Sequence, residues 1–288
     1  METAELLKKV RKIEIKTKGL SRQIFSGEYH SAFKGRGMAF SEVREYIPGD
    51  DVRSIDWNVT ARFNSPFVKV FEEERELSVM LLVDVSASGA FGTRVQQKQD
   101  LITELCAVIS FSASQNNDKI GLIFFSDKIE KFIPPKKGKT HVLRIIRELI
   151  EFKPENRKTN LELALRYLTN VIKKRSVVFL VSDFLTEPNY TEALKIANKK
   201  HDLVALRIID RAELELPAAG LIKMKDNENG KTMWIDTANK VFRKQFATNR
   251  LKFEDSLRET LTRSGTDTAN IYTHESYVKP LMNLFKKR

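Results

Sequence analysis

Residues 81–89 read LLVDVSASG: an apolar run stops at Asp84, and hydroxyls follow at Ser86 and Ser88. The run begins at Ser78 as SVMLLVD, and its near-continuous apolar character suits a strand covered by helices on both faces. Downstream, short apolar runs alternate with longer helical patterns, the arrangement of a parallel sheet flanked by helices. The pattern predicts strands over 78–84, 119–125, 176–182, 203–209 and 269–273, with those from 78, 176 and 203 at the sheet centre. Helices are expected over 95–114, 139–151, 160–174, 190–200, 238–263 and 276–286. The run KIEKFIPP, after the second of these strands, is expected to return as an antiparallel edge, because Pro134 and Pro135 cannot donate to a ladder. Residues 221–236 read as a hairpin with DNENG as its turn.

In a doubly wound sheet of this kind, ligands bind outside the carboxyl ends of the strands, near the point where strand order reverses. Asp84 ends an expected central strand, so an Asp-x-Ser-x-Ser loop there places three oxygen-bearing side chains on one side of a tight turn. Carboxylate and hydroxyl oxygens suit a hard divalent cation, magnesium above all, while the loop lacks the thiolate and imidazole that zinc favours. Two further segments offer the same chemistry. RKTNLELAL sets Thr159 ahead of an amphipathic helix, and FLVSDFL sets Asp183 at the close of an apolar strand. Each also has a purely structural reading: Thr159 or Asn160 as a helix cap, Ser182 with Asp183 as a turn, and Ser86 and Ser88 as caps.

Residues 1–77 are too polar and turn-rich for another strand–helix repeat, and are expected to form a small module with an amphipathic helix and short strands, ahead of a main α/β domain over 78–288. Within them, YIPGDDVRSIDWNVTARFNSPFVKVFEEERE combines a Pro48-Gly49 turn with Asp50, Asp51 and Asp56. These aspartates alternate with Arg53 and Arg62, an arrangement that invites buried or half-buried ion pairs, and Trp57 offers a large apolar anchor. The acidic run Glu72, Glu73, Glu74 and Glu76 reads as a solvated face.

The ordered set Asp-x-Ser-x-Ser, then Thr, then Asp resembles the metal-ion-dependent adhesion site of von Willebrand factor A domains, over roughly residues 78–274. The resemblance implies a doubly wound, mostly parallel sheet of the Rossmann type. It further implies that Ser86, Ser88 and Thr159 coordinate magnesium (manganese or calcium as alternatives), that Asp84 and Asp183 act directly or through water, and that the metal keeps a position open for a partner's carboxylate. Arg157 and Lys158 stand where that family commonly has glycines, a departure that would tune metal affinity or attract an acidic partner. The upstream block resembles the signature of the bacterial "domain of unknown function 58" family. That resemblance implies work alongside a MoxR-type AAA+ ATPase, as an adaptor or co-chaperone. Many members carry N-terminal membrane helices, and this chain resembles the short soluble branch.

Composition narrows the function classes. With 41% hydrophobic and 31% charged residues, the chain has the make-up of a globular protein. The start mixes charges with apolar residues, unlike a signal peptide, and no run approaches a membrane span, so a cytoplasmic location is expected. The lone Cys106 sits in an apolar helical pattern, where burial is expected rather than reactivity. Net charge is +12, from 50 basic and 38 acidic residues, which raises nucleic-acid binding as an alternative. However, acids are interspersed through most helices and no zinc-finger or aromatic RNA-binding signature is present. A metal-dependent phosphoesterase using Asp84 and Asp183 is the other alternative. Against it, His30, His141, His201 and His274 lie in unrelated segments, and neither a phosphate-binding Gly-x-x-x-x-Gly-Lys-Ser/Thr loop nor a Gly-x-Ser-x-Gly elbow occurs. The expectation is a protein-binding module, not an enzyme.

Overall fold

The computed structural model describes residues 10, 11, 13, 14, 38–63, 65–73, 77–87, 97–186, 189–225 and 232–288. The chain divides into two units, Phe33–Leu77, and Met1–Ala32 with Ser78–Arg288.

In the smaller unit, β1 (Met38–Glu45) and β2 (Phe67–Glu73) pair antiparallel, with an irregularity between Phe40 and Glu42. The helix α1 (Trp57–Phe63) lies between them in sequence. The aspartates of the signature block shape its turns. Gly49 adopts φ 111°, in the left-handed region that favours glycine. The Asp50 carboxylate beside it accepts from Ile47 N at 2.9 Å and from the two arms of the Arg44 fork at 2.7 and 2.8 Å. Asp51 caps a short 3-10 turn by accepting from Arg53 N at 2.9 Å. Asp56 accepts from Asn58 N at 3.0 Å and stands 3.4 Å from the Lys69 ammonium. The ion pairs expected with Arg53 and Arg62 are therefore corrected. Partners come from the two strands, whose side chains reach back across the turns, while Arg53 contributes its backbone and its side chain stays in solvent. Trp57 also differs from expectation: at the first position of α1 its side chain is 68% exposed.

The larger unit is built on a six-stranded sheet. Its elements in chain order are β3 (Ser78–Asp84), α2 (Lys98–Gln115), β4 (Lys119–Phe125), β5 (Ile129–Lys136), α3 (Lys139–Glu151), α4 (Leu161–Val171), β6 (Val177–Ser182), α5 (Thr191–Lys200), β7 (Asp202–Ile209), α6 (Arg211–Leu214), β8 (Leu221–Lys225), β9 (Thr232–Asp236), α7 (Lys240–Arg263), β10 (Asp267–Tyr272) and α8 (Val278–Lys286). Strand order is β10-β7-β6-β3-β4-β5; all neighbours are parallel except β4 and β5. The proline-bearing β5 is the antiparallel edge expected from Pro134 and Pro135, and β3, β6 and β7 are interior strands. The buried runs of β3, β4 and β6 follow from cover on both faces. On α2, residues 101–113 are buried almost without a break, as suits a helix surrounded by protein on most sides. Cys106 lies within it at 0% exposure, and burial pushes its thiol up, away from reactivity.

Among the boundaries that differ from expectation, two helix ends have a clear local cause. α4 stops at Val171, ahead of Lys173, because Ile172 turns extended (φ -91°, ψ 106°) and its side chain enters the core. α7 begins at Lys240, because Asn239 accepts from Val241 N and Phe242 N and so caps the helix. β8 and β9 form the expected hairpin; its DNENG turn lies outside the described residues.

The chain leaves β3 toward β4 and β5 on one side, then returns to β6, β7 and β10 on the other. Strand order thus reverses between β3 and β6, the crevice where open α/β sheets bind ligands. The result is a Rossmann-like mixed α/β fold with its switch point at the carboxyl ends of those two strands.

Candidate metal site at the switch point

Asp84 closes β3, and Ser182 and Asp183 close β6. The two strand ends are tied directly: the Ser182 hydroxyl donates to Asp84 Oδ2 at 2.7 Å, and Ser86 N donates to Asp84 Oδ1 at 2.9 Å. Asp84 is 5% exposed, Ser86 4% and Asp183 7%. Burial above all, with the nearby charge of Asp183 adding to it, pushes the Asp84 carboxyl up to about 6 against the opposing hydrogen bonds from Ser86 and Ser182. An apolar cavity of about 130 Å³ lies beside the loop, lined by Val83, Ile102, Phe124, Leu149 and Phe152 as well as Asp84 and Ser86.

The turn after β6 fixes Asp183. Phe184 takes φ 59°, which a buried aromatic residue rarely adopts. It is held there by Phe184 N donating to Ser182 Oγ at 3.0 Å and by its ring lying 6.3 Å from that of Tyr190. Asp183 Oδ1 accepts from Leu185 N at 3.1 Å, and Oδ2 accepts from the Lys98 ammonium at 2.9 Å. Lys98 opens α2, its side chain is 1% exposed, and it also donates to Glu213 Oε1. Glu213 belongs to a capping box with Asp210 at the start of α6. Burial raises the Glu213 carboxyl while Lys98 opposes that shift. Behind the site, the buried Arg207 of β7 donates to Asp183 O at 3.4 Å and forks onto Glu254 of α7.

The remaining sequence candidates fall as follows. Ala87 N donates to Arg157 O at 3.0 Å, which brings the loop carrying Thr159 against the loop carrying Ser86. Asn160, not Thr159, caps α4 by accepting from Leu163 N at 2.9 Å. The cap reading therefore belongs to Asn160, and Thr159 is half-buried just ahead of it. Ser88 lies outside the described residues. The structure thus joins Asp84, Ser86 and Asp183 and sets the Thr159 loop beside them. Lys98 and Glu213 are the members that sequence reasoning missed. A lysine in the first turn of a helix and a glutamate three residues past a strand-end aspartate look like ordinary surface residues until the fold brings them together.

The donor set fits a hard divalent cation in two respects. Its donors are carboxylate and hydroxyl oxygens, and among the described residues three buried or half-buried carboxylates, Asp84, Asp183 and Glu213, gather here, of which Asp183 and Glu213 pair with the Lys98 ammonium. That leaves a surplus of negative charge in a low-dielectric place. Among the described residues, no three His, Cys, Asp or Glu side chains group as a metal site. A cation held here would thus need the hydroxyls as well as the carboxylates.

A family model described as "Protein of unknown function DUF58" matches residues 42–255. An uncharacterized protein of Mycobacterium tuberculosis (strain ATCC 25618 / H37Rv) is 27% identical over 292 residues, covering 100% of this chain and 91% of that protein. The uncharacterized protein YeaD of Bacillus subtilis (strain 168) is 29% identical over 109 residues, 38% of this chain and 25% of that one. Among solved structures, the conserved hypothetical protein BatB from Bacteroides thetaiotaomicron is 15% identical, with 73% of this chain and 98% of that chain covered at a TM-score of 0.48. An aerotolerance-related membrane protein from Bacteroides fragilis NCTC 9343 is 13% identical, with 74% and 100% covered at 0.49. Among the described residues, no helix is long and apolar enough to cross a membrane. With the family model spanning the signature block, the Asp84 loop and the Asp183 turn, the chain belongs to the DUF58 family of proteins of unknown function.

Proposed function

We propose that the chain is a non-enzymatic binding module whose Asp84, Ser86, Ser88, Thr159 and Asp183 hold magnesium, in the manner of the adhesion site of von Willebrand factor A domains. The observation that carries the reading is the surplus of buried negative charge at the switch point, where, among the described residues, the donors to Asp84 are neutral: the Ser182 hydroxyl, and Ser86 through its amide and its side chain. A bound divalent ion would neutralise that surplus and supply a positive centre for an acidic group of a protein partner. Ser182 and the Ser86 amide aim the Asp84 carboxylate, and the Phe184 turn aims Asp183. Arg157 and Lys158, both exposed on the neighbouring loop, add positive charge that favours an acidic partner. A MoxR-type AAA+ ATPase, or its client, is the partner that the signature block's resemblance suggests, with this chain as adaptor or co-chaperone.

Affinity capture from host lysate tests the reading, with the wild type in magnesium, the wild type in chelator, and Asp84→Ala in magnesium. A protein retained only by the wild type in magnesium is expected. The same proteins in all three samples would contradict it.

A further inference from the structure

We infer that Lys98 is a built-in competitor for the divalent cation and sets how tightly the Asp84–Asp183 site holds metal; the inference rests on the metal-binding reading above. The two aspartates of the site are served differently. Among the described residues Asp84 meets neutral donors, whereas Asp183 is engaged on both oxygens, by Leu185 N at 3.1 Å and by the Lys98 ammonium at 2.9 Å. A cation drawing on Asp183 Oδ2 therefore shares it with a fixed positive charge, and like charges a few ångströms apart repel strongly where water is excluded.

Lys98 is held in place from its far side. Glu213 takes the same ammonium and is anchored in turn by accepting from Asp210 N at 3.3 Å, within the capping box of α6. The ammonium is shared between Asp183 and Glu213, and under this inference metal binding moves it to a second arrangement, on Glu213 alone. The second frees Asp183 Oδ2 for a metal ion. Lys98 thereby links metal loading to the first turn of α2 and to α6, and offsets the repulsion between Asp84 and Asp183 when no metal is bound. A salt bridge of purely structural role would stabilise the fold equally but would leave metal affinity unchanged on its removal.

Binding of manganese(II), followed by loss of the free-ion electron paramagnetic resonance signal, tests this on the full chain. The proteins compared are the wild type, Lys98→Met, the double variant Lys98→Met with Glu213→Gln, and each of these with Asp84→Asn. The double variant keeps the net charge of the cluster, so it folds without the unpaired Glu213 that Lys98→Met leaves behind. Expected is at least tenfold tighter binding in both Lys98 variants than in the wild type, lost in every protein carrying Asp84→Asn. Wild-type binding that is unchanged or weakened in the double variant overturns the competitor role while leaving the metal reading standing. No binding by any protein at millimolar manganese, or binding indifferent to Asp84→Asn, overturns the metal reading and this inference with it.

Discussion

Ser182 Oγ donates to Asp84 Oδ2 at 2.7 Å and thereby joins the carboxyl ends of β6 and β3 across the point where strand order reverses. The bond orients a carboxylate without neutralising it. Asp84 is left charged, buried and close to Asp183, a state that a cation or a proton would relieve.

The pH dependence of stability in metal-free buffer follows from that. The folded-state pKa of Asp84 is raised from 3.8 to about 6, so the folded chain binds this proton more readily than the unfolded one. The stabilising contribution is complete below the unfolded value and is lost as pH rises through about 6. Asp84→Asn removes the titration. Denaturant melts of the two proteins should agree most closely near pH 4 and diverge through pH 6, with the variant ahead by up to about 3 kcal/mol at pH 7.5. A difference constant across this range would refute the assignment.

His201, the C-cap residue of α5, is 0% exposed, and among the described residues neither ring nitrogen has a hydrogen-bond partner. Burial, with Lys200 and Arg175 adding to it, lowers its pKa to about 4. A lowered value means the stability contribution is present above the unfolded pKa, near 6.5, and is lost as pH falls toward about 4. His201→Leu should flatten the acid limb of the stability profile and, by removing an unsatisfied buried N–H, gain about 1–2 kcal/mol at pH 7.5. Thermal melts of both proteins at pH 5 and 7.5 provide the check.

Gly121 is required by the sheet. A Cβ there would lie 2.6 Å from Met80 Sδ, 2.8 Å from Ile133 O and 2.9 Å from Pro135 N. Met80 can move, but the two backbone atoms of β5 cannot without opening the edge pairing. Gly121→Ala should cost about 1–3 kcal/mol in urea unfolding, whereas an alanine tolerated without loss would mean that β5 is not held so closely.

Arg207 is 3% exposed and depends on Glu254 for its counter-charge. Glu254→Ala should destabilise by about 3–5 kcal/mol, because a buried guanidinium loses its partner. The pair Arg207→Met with Glu254→Leu should recover most of that loss. A double-mutant cycle by chemical denaturation would measure the coupling, and additive effects would speak against it.

Much of this was legible in the sequence because burial leaves a period. SVMLLVD, KIGLIFF and VVFLVS have nothing polar to place in solvent, and each is an inner strand of the sheet. Pro134 and Pro135 marked β5 as an edge for the same elementary reason, a missing N–H. Asp84 and Asp183 were visible because each interrupts an apolar run where it ends. Lys98 was hidden: it lies 85 residues from Asp183 and 115 from Glu213, and nothing local distinguishes a buried first-turn lysine from a solvated one. The partner of Asp50 was misread for a related reason. Arg53 is nearer to Asp50 in sequence than Arg44, yet it is Arg44, on the strand that pairs with β2, that reaches the carboxylate. Trp57 shows the limit of reading a large apolar side chain as an anchor, since its place on α1 leaves it exposed.

The central claim is that Asp84 belongs to a divalent-cation site. Isothermal titration of magnesium into the metal-free wild type and Asp84→Asn proteins tests it most directly. Saturable binding at one site per chain in the wild type, absent in the variant, is the predicted result. No saturable binding to the wild type, or the same isotherm from both proteins, would contradict it.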